Sequence, residues 1–168
     1  IRGKLEITTE KDKGTTLTIE LPLTISIIDC LLIRLGGEYF LIPLAVVERC
    51  AEVKADTVLK AENKYIVLDG QYIPFIDLRN EFSIQKERPT VQQVLLVRYK
   101  EIVVGLIVDE VIGNYQAVLK ALGEAYKKQE IISGASILGS GEIALVLDTN
   151  RLVQEFALRN EQKINAMA

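Results

Sequence analysis

Histidine is absent from the 168 residues. Its absence removes the commonest general base and the commonest metal ligand. Tryptophan is absent too, and six Tyr and four Phe supply all the aromatic surface. These are not interleaved with basic residues, so a base-stacking platform for nucleic acid is unsupported. Basic excess is also missing: the net charge is −3 and the pI is near 5.2. A nucleic-acid module is more typically basic, with clustered Lys and Arg. Only two cysteines occur, Cys30 and Cys50, each among apolar neighbours. They read as small buried reduced thiols. A disulfide between them stays open, and a metal site of two cysteines without histidine is not expected. Long hydrophobic runs are missing: Ile25 to Leu35 is interrupted by Ser26, Asp29 and Arg34 and is far too short to cross a bilayer. No direct membrane insertion is expected, and no leader pattern is visible. The chain opens Ile-Arg-Gly and reads as a piece of a longer cytosolic protein.

What is present is apolar and patterned for β-structure. Hydrophobic residues make up 49% of the chain, enough for a substantial core and too many for disorder. Lys4 to Glu10 and Thr16 to Leu21 alternate apolar with polar, around a turn-like Lys-Asp-Lys-Gly at 11–14. That pattern predicts a hairpin, which Pro22 ends. The β-branched run Ile25 to Leu35 turns at Gly36-Gly37 and returns over Tyr39 to Leu44. Shorter strands are expected at Glu48 to Val53, Tyr65 to Leu68 and Tyr72 to Ile76, the last two joined by the tight-turn pair Asp69-Gly70. Ser83 to Thr90 is polar, ends in Arg-Pro-Thr and reads as a linker between halves. Val91 to Tyr99 and Ile102 to Glu110 form another strand pair, and Ile137-Leu138 with Ile143 to Leu147 a hairpin around Gly-Ser-Gly. The tail from Thr149 to Ile164 carries Leu152, Val153, Phe156, Ala157 and Ile164 near helical spacing.

Two motifs recur in the same order. Leu31-Leu32-Ile33-Arg34-Leu35 is similar to Leu95-Leu96-Val97-Arg98-Tyr99, and the Gly70 to Asp77 segment is similar to Gly141 to Asp148. The copies lie about 64 and about 71 residues apart, which points to two similar halves. Asp77 and Asp148 end their strands where a helix N-cap is wanted. The helix after Asp77 is expected to run about two turns, and the one after Asp148 to be the long C-terminal helix. Halves of several short strands imply two small barrels, too small for an internal ligand cavity. Binding is then expected on outer faces or in the groove between barrels.

Catalytic chemistry has little material. Asp77, Asp109, Glu110 and Asp148 are the candidate carboxylates for acid–base work. Two of them read as caps and two as ordinary charges at a strand end. Gly36-Gly37, Gly134 and Gly139-Ser140-Gly141 sit in turn contexts, without the Lys and helix of a phosphate loop. Ser133, Ser136 and Ser140 cluster without a histidine base. No catalytic residue, metal ligand or cofactor is expected. What remains is surface: Val46, Val47, Val53, Ile66, Ile112 and Val118 stand near strand ends or turns, and exposed apolar patches mark protein interfaces.

These residues carry a resemblance. The run from Leu21-Pro22-Leu23-Thr24 through Asp29-Cys30-Leu31-Leu32-Ile33-Arg34 resembles the junction between the ATP-binding and regulatory domains of the CheA-type chemotaxis histidine kinases. Ile42-Pro43-Leu44, Gly70 to Leu78, Gly105 to Asp109 and Ile132 to Asp148 are similar to the CheW-like regulatory domain of that family. The similarity covers nearly the whole chain.

The resemblance implies a mainly β fold: two SH3-like five-stranded barrels related by pseudo-twofold symmetry, with short helices and a C-terminal helix. It implies a division into residues 1–24 as the end of the kinase ATP-binding domain, 25–160 as the regulatory domain of two intertwined barrels, and 161–168 as a tail. The implied role is to bind the CheW adaptor and chemoreceptor cytoplasmic tips and to couple receptor state to the rest of the kinase chain, in the cytoplasm at receptor arrays on the inner face of the membrane. In the family, barrel one packs on barrel two of CheW, and a second contact closes rings. Thr15, in Gly14-Thr15, matches a residue near nucleotide in the intact kinase domain. The upstream nucleotide boxes are missing, so this fragment is not expected to be an enzyme. The implied interface is Val47, Glu48, Val53, Ile66, Leu68 and Tyr72 on the first barrel and Ile112, Val118 and Leu138 on the second. The alternatives are a free-standing CheW-like adaptor and a nucleic-acid-binding double barrel, the latter disfavoured by the acidic balance.

Overall fold

The computed structural model describes residues 4–20, 27–61, 63–120 and 131–167, the side chains of 4, 20 and 160–167 excepted. The chain is mainly β. Strands β1 (Lys4–Glu10) and β2 (Gly14–Glu20) form the expected hairpin, in register from Lys4–Glu20 to Glu10–Gly14. Pro22 and the boundary at 24–25 lie outside the described residues.

Two five-stranded sheets follow, curled into SH3-like barrels. The first half of the repeat supplies β3 (Ile27–Leu35), β4 (Glu38–Pro43), β5 (Val47–Lys54), β6 (Tyr65–Leu68) and β7 (Gln71–Asp77). The second supplies β8 (Val91–Tyr99), β9 (Ile102–Val108), β10 (Glu110–Val118), β11 (Ile132–Ile137) and β12 (Ile143–Leu147). Barrel one has strand order β5-β8-β9-β7-β6, and barrel two β10-β3-β4-β12-β11. Each half therefore lends its first hairpin to the other half's barrel. Replacing each strand by its repeat partner turns one order into the other. The registers agree as well: Phe75 faces Gly105 where β7 runs parallel to β9, and its counterpart Val146 faces Leu41 where β12 runs parallel to β4.

The exchange dictates where apolar side chains go. One cluster fills barrel one, with Val53, Val58, Ile66, Ile73, Phe75, Val94, Leu96 and Ile107. A smaller one, around Cys30, Leu41, Ala117, Leu138, Ala144 and Val146, fills barrel two. The largest lies between them. There the exchanged hairpins contribute Ile33, Leu35, Phe40 and Ile42 from one side and Leu95, Val97, Val104 and Leu106 from the other. Helix α3 (Thr149–Met167) covers this cluster with Leu152, Val153 and Phe156, three of the residues its helical spacing singles out; Ile164 lies outside the described side chains.

Several local details differ from expectation. A short helix α1 (Ala55–Lys60) follows β5, and a 3-10 turn (Leu44–Val46) precedes it. The helix after Asp77, α2 (Leu78–Glu81), is a single turn rather than two. The strand expected to end at Glu110 ends at Val108, and Glu110 begins a separate strand, β10. Cys50 is exposed on the edge strand β5, whereas Cys30 is buried, and both are free thiols. Barrel two closes where Lys120 and Ala135 exchange backbone hydrogen bonds of 2.8 and 3.0 Å. Gly134 permits that approach, since a Cβ there would stand 2.5 Å from Leu119 Cδ1.

Candidate interaction surface

The β6–β7 and β11–β12 hairpins each lie at one edge of their sheet and carry the two most exposed large apolar side chains among the described residues, Tyr72 and Ile143. On barrel one, Val67 faces Tyr72 across β6 and β7, and Tyr65 faces Pro74. Val67 is 58% exposed, Tyr65 51% and Tyr72 77%. A shallow recess of about 380 Å³ opens beside them, lined by Lys60, Ala61, Asn63, Tyr65 and Tyr72. On barrel two, the counterpart of the Val67–Tyr72 pair is Ile137–Ile143, 52% and 65% exposed. Alternation along a strand explains the geometry. Ile66, Ile73 and Phe75 point into barrel one, and Tyr65, Val67 and Tyr72 point out to the surface.

The expected interface residues divide accordingly. Tyr72, Ile112 and Val118 are exposed. Val47 and Leu68 are half-buried, packed on the interbarrel cluster and the barrel-one cluster respectively. Glu48 is at the surface and ion-paired with Arg98. Three residues need correcting: Val53, Ile66 and Leu138 belong to barrel interiors. Tyr65, Val67, Ile137 and Ile143, missed in the sequence, take their place on the outer faces. The missed signal was parity, because fixing Phe75 as inward forces Tyr72 and Val67 outward through the pairing. Glu48 and Ile112 share one structural feature, since each stands at the register shift of its edge strand, β5 against β8 and β10 against β3. Such bulges re-aim a side chain out of the ladder. Thr15 lies in β2, exposed, with its hydroxyl 3.2 Å from that of Thr9.

The repeated arginines are each paired to a glutamate on the neighbouring strand, Arg34 to Glu110 and Arg98 to Glu48. Their exposure limits each to about 1 kcal/mol or less.

A buried polar network lies where the barrels meet. The Arg79 side chain, 2% exposed, is ion-paired to Asp109 at 2.6 Å. It also donates to the backbone carbonyls of Lys86 and, at 3.2 Å, Glu87. Asp109 further accepts from the Gly36 amide at 2.7 Å and from Gln92 Nε2 at 3.2 Å. Gln92 Oε1 accepts from Arg88 at 2.8 Å, and Arg88 donates to Asp77 at 2.7 Å. Asp77 returns to the Arg79 backbone amide at 3.1 Å as the cap of α2. Asp109, expected to be an ordinary charge at a strand end, is instead central to this circuit. Among the described residues no buried side-chain polar atom lacks a partner and no cluster of acidic or thiol side chains could hold a metal. No helix among them is long and apolar enough to cross a membrane.

The fold is a pair of interlocked barrels with exposed apolar hairpin faces, and comparison with known proteins gives its class. Residues 29–157 match the CheW-like domain family, and the chain belongs to that family. Over most of its length it is similar to proteins named chemotaxis protein CheA. It is 34% identical over 154 residues to CheA of Bacillus subtilis, covering 90% of this chain and 23% of that protein. With CheA of Salmonella typhimurium it shares 32% over 171 aligned positions, covering 96% and 24%. The chain thus spans about a quarter of the length of these relatives. The scaffolding protein TtCheW from Thermoanaerobacter tengcongensis has the same fold, with a TM-score of 0.61 at 17% identity over 73% of this chain and 90% of that one. The matched unit is a regulatory and scaffolding domain of chemotaxis signalling, not a catalytic one.

Proposed function

We propose that this chain is the regulatory module of a chemotaxis histidine kinase, and that it binds a CheW-type adaptor and chemoreceptor cytoplasmic tips at arrays on the inner face of the membrane. The observation that carries the reading is the pair of equivalent apolar hairpin faces, one on each barrel: Val67 with Tyr72, and Ile137 with Ile143. Exposed aliphatic and tyrosine side chains at a sheet edge are what protein interfaces bury. One such face on each barrel lets a single domain bridge two partners. Residues 4–20 fit the end of the preceding ATP-binding unit, because Leu5, Ile7, Leu17 and Ile19 stand 56–60% exposed. Earlier residues of the kinase chain would cover them. Regulation then acts by rigid-body movement of the module about Pro22 to Ser26, which lie outside the described residues.

Calorimetry of the chain with a CheW-type adaptor tests the reading. Binding at or below tens of micromolar is expected, in the range of weak signalling contacts. Tyr72→Glu and Ile143→Glu should each weaken one contact about tenfold or more while the far-UV spectrum is unchanged. Absence of any association at that concentration would overturn the proposal.

A further inference from the structure

Two observations about the buried polar circuit point beyond local stability. The first is where its members come from. Arg79 is on α2, and Lys86 to Arg88 lie on the strap joining α2 to β8. Asp109 stands where the chain leaves barrel one for barrel two, between β9 and β10. Gly36 is the turn of the β3–β4 hairpin, which belongs to barrel two. The strap presses directly on that turn, since a Cβ on Gly36 (φ +56°) would stand 2.4 Å from Ile84 Cγ2. The grip is reciprocal: Arg79 of the body holds strap carbonyls, and Arg88 of the strap holds Asp77 and Gln92 of the body.

The second observation is that the repeat breaks here. Asp148 is the counterpart of Asp77, and it accepts from the Arg151 amide at 3.0 Å as Asp77 does from Arg79. Two positions further on, however, exposed Asn150 replaces buried Arg79, and exposed Ala45 occupies the position of Asp109. Barrel two is thus built without the circuit, so completing an SH3-like barrel does not require it.

We propose that the Arg79–Asp109 pair and the strap it holds form a latch that sets the orientation of one barrel on the other. The apolar cluster between the barrels supplies attraction without direction and tolerates repacking at constant volume. A guanidinium with its donors in a fixed plane, shared among a carboxylate and two carbonyls, accepts one geometry. Burying the pair adds little net stability. Its effect is on register.

Spin labels at the two outer hairpins, on Val67→Cys and Ile137→Cys in a Cys50→Ser background, report the distance between barrels by pulsed electron resonance. The informative variant is Arg79→Met with Asp109→Leu, which removes both charges and keeps the volume. It is expected to unfold cooperatively with a lowered midpoint, because the Gly36 amide and Gln92 Nε2 lose their acceptor, while the distance distribution broadens at least twofold or shifts. A cooperatively folded double variant with the parent's narrow distribution would overturn the latch. Should the double variant fail to fold, Arg88→Gln opens the circuit at its more exposed end. Hydrogen exchange at residues 84–90 should then accelerate about tenfold or more with a broadened distribution, and parental exchange with parental width would count equally against the proposal.

Discussion

The two thiols differ through their surroundings alone. Cys30 is 0% exposed, and burial, followed by the charge of Asp29, raises its pKa from 9.0 to about 11. Cys50 is shifted upward as well, by partial desolvation and then by Glu52. In the native protein a water-soluble disulfide reagent is expected to modify Cys50 and to leave Cys30 untouched until denaturant is added. The shift also has a sign for stability. The folded state favours the neutral thiol of Cys30, so its contribution is fully present below pH 9 and is lost as pH rises towards about 11. In a Cys50→Ser background, the urea midpoint should fall across that window, and Cys30→Ala should remove part of the fall. Ile66 and Val67 show the same dependence on place. They are neighbours of similar chemistry, one 2% and the other 58% exposed. Ile66→Glu is expected to abolish the cooperative unfolding transition, whereas Val67→Glu keeps it.

At the scale of elements, the two repeated caps make a controlled comparison. Among the described residues Asp148 accepts a side-chain hydrogen bond from the Arg151 amide, capping α3, and Asp148→Ala should cost about 1 kcal/mol in denaturant titration. Asp77 caps α2 and also receives Arg88, so Asp77→Ala should cost about 3 kcal/mol or more, because it strands a partly buried guanidinium. Equal costs would contradict the structural difference between them. The elements that could be read from the sequence are those with one clean periodicity, such as β1, β2 and α3, or an unbroken apolar run, such as β8. Strand β10 escaped notice because Glu110 to Val118 is an edge strand with polar Asn114 and Gln116 among its apolar residues and a register shift near Ile112. Helix α1, at six residues, is too short for a helical period to be visible.

At the scale of the whole molecule, the exchange of hairpins makes the halves interdependent. A chain cut within the strap would leave β3 and β4 without the β10 and β12 strands they pair with. Residues 27–82 and 91–157 produced separately are each expected to lack a cooperative transition and dispersed amide resonances. Mixed, they should recover both. Two autonomous halves would show that the shared interbarrel cluster is not the principal core. The hypotheses of adaptor binding and of a polar latch both depend on this unity, since a domain that bridges partners through both barrels must hold the barrels in a fixed relation.

The sequence by itself determined the mainly β class, the twofold repeat and the two aspartate caps. Each of these is written in local spacing or in residue types present and absent, and such features survive without knowledge of neighbours. Only the tertiary structure decided which apolar face of the β6–β7 hairpin is outward, because Tyr65, Ile66, Val67 and Leu68 are apolar or aromatic on both parities. It alone brought Asp77, Arg79, Arg88, Gln92 and Asp109 into one circuit. Their partners lie on different elements, and a charge placed near a strand end has no local signature telling whether it meets water or a buried guanidinium.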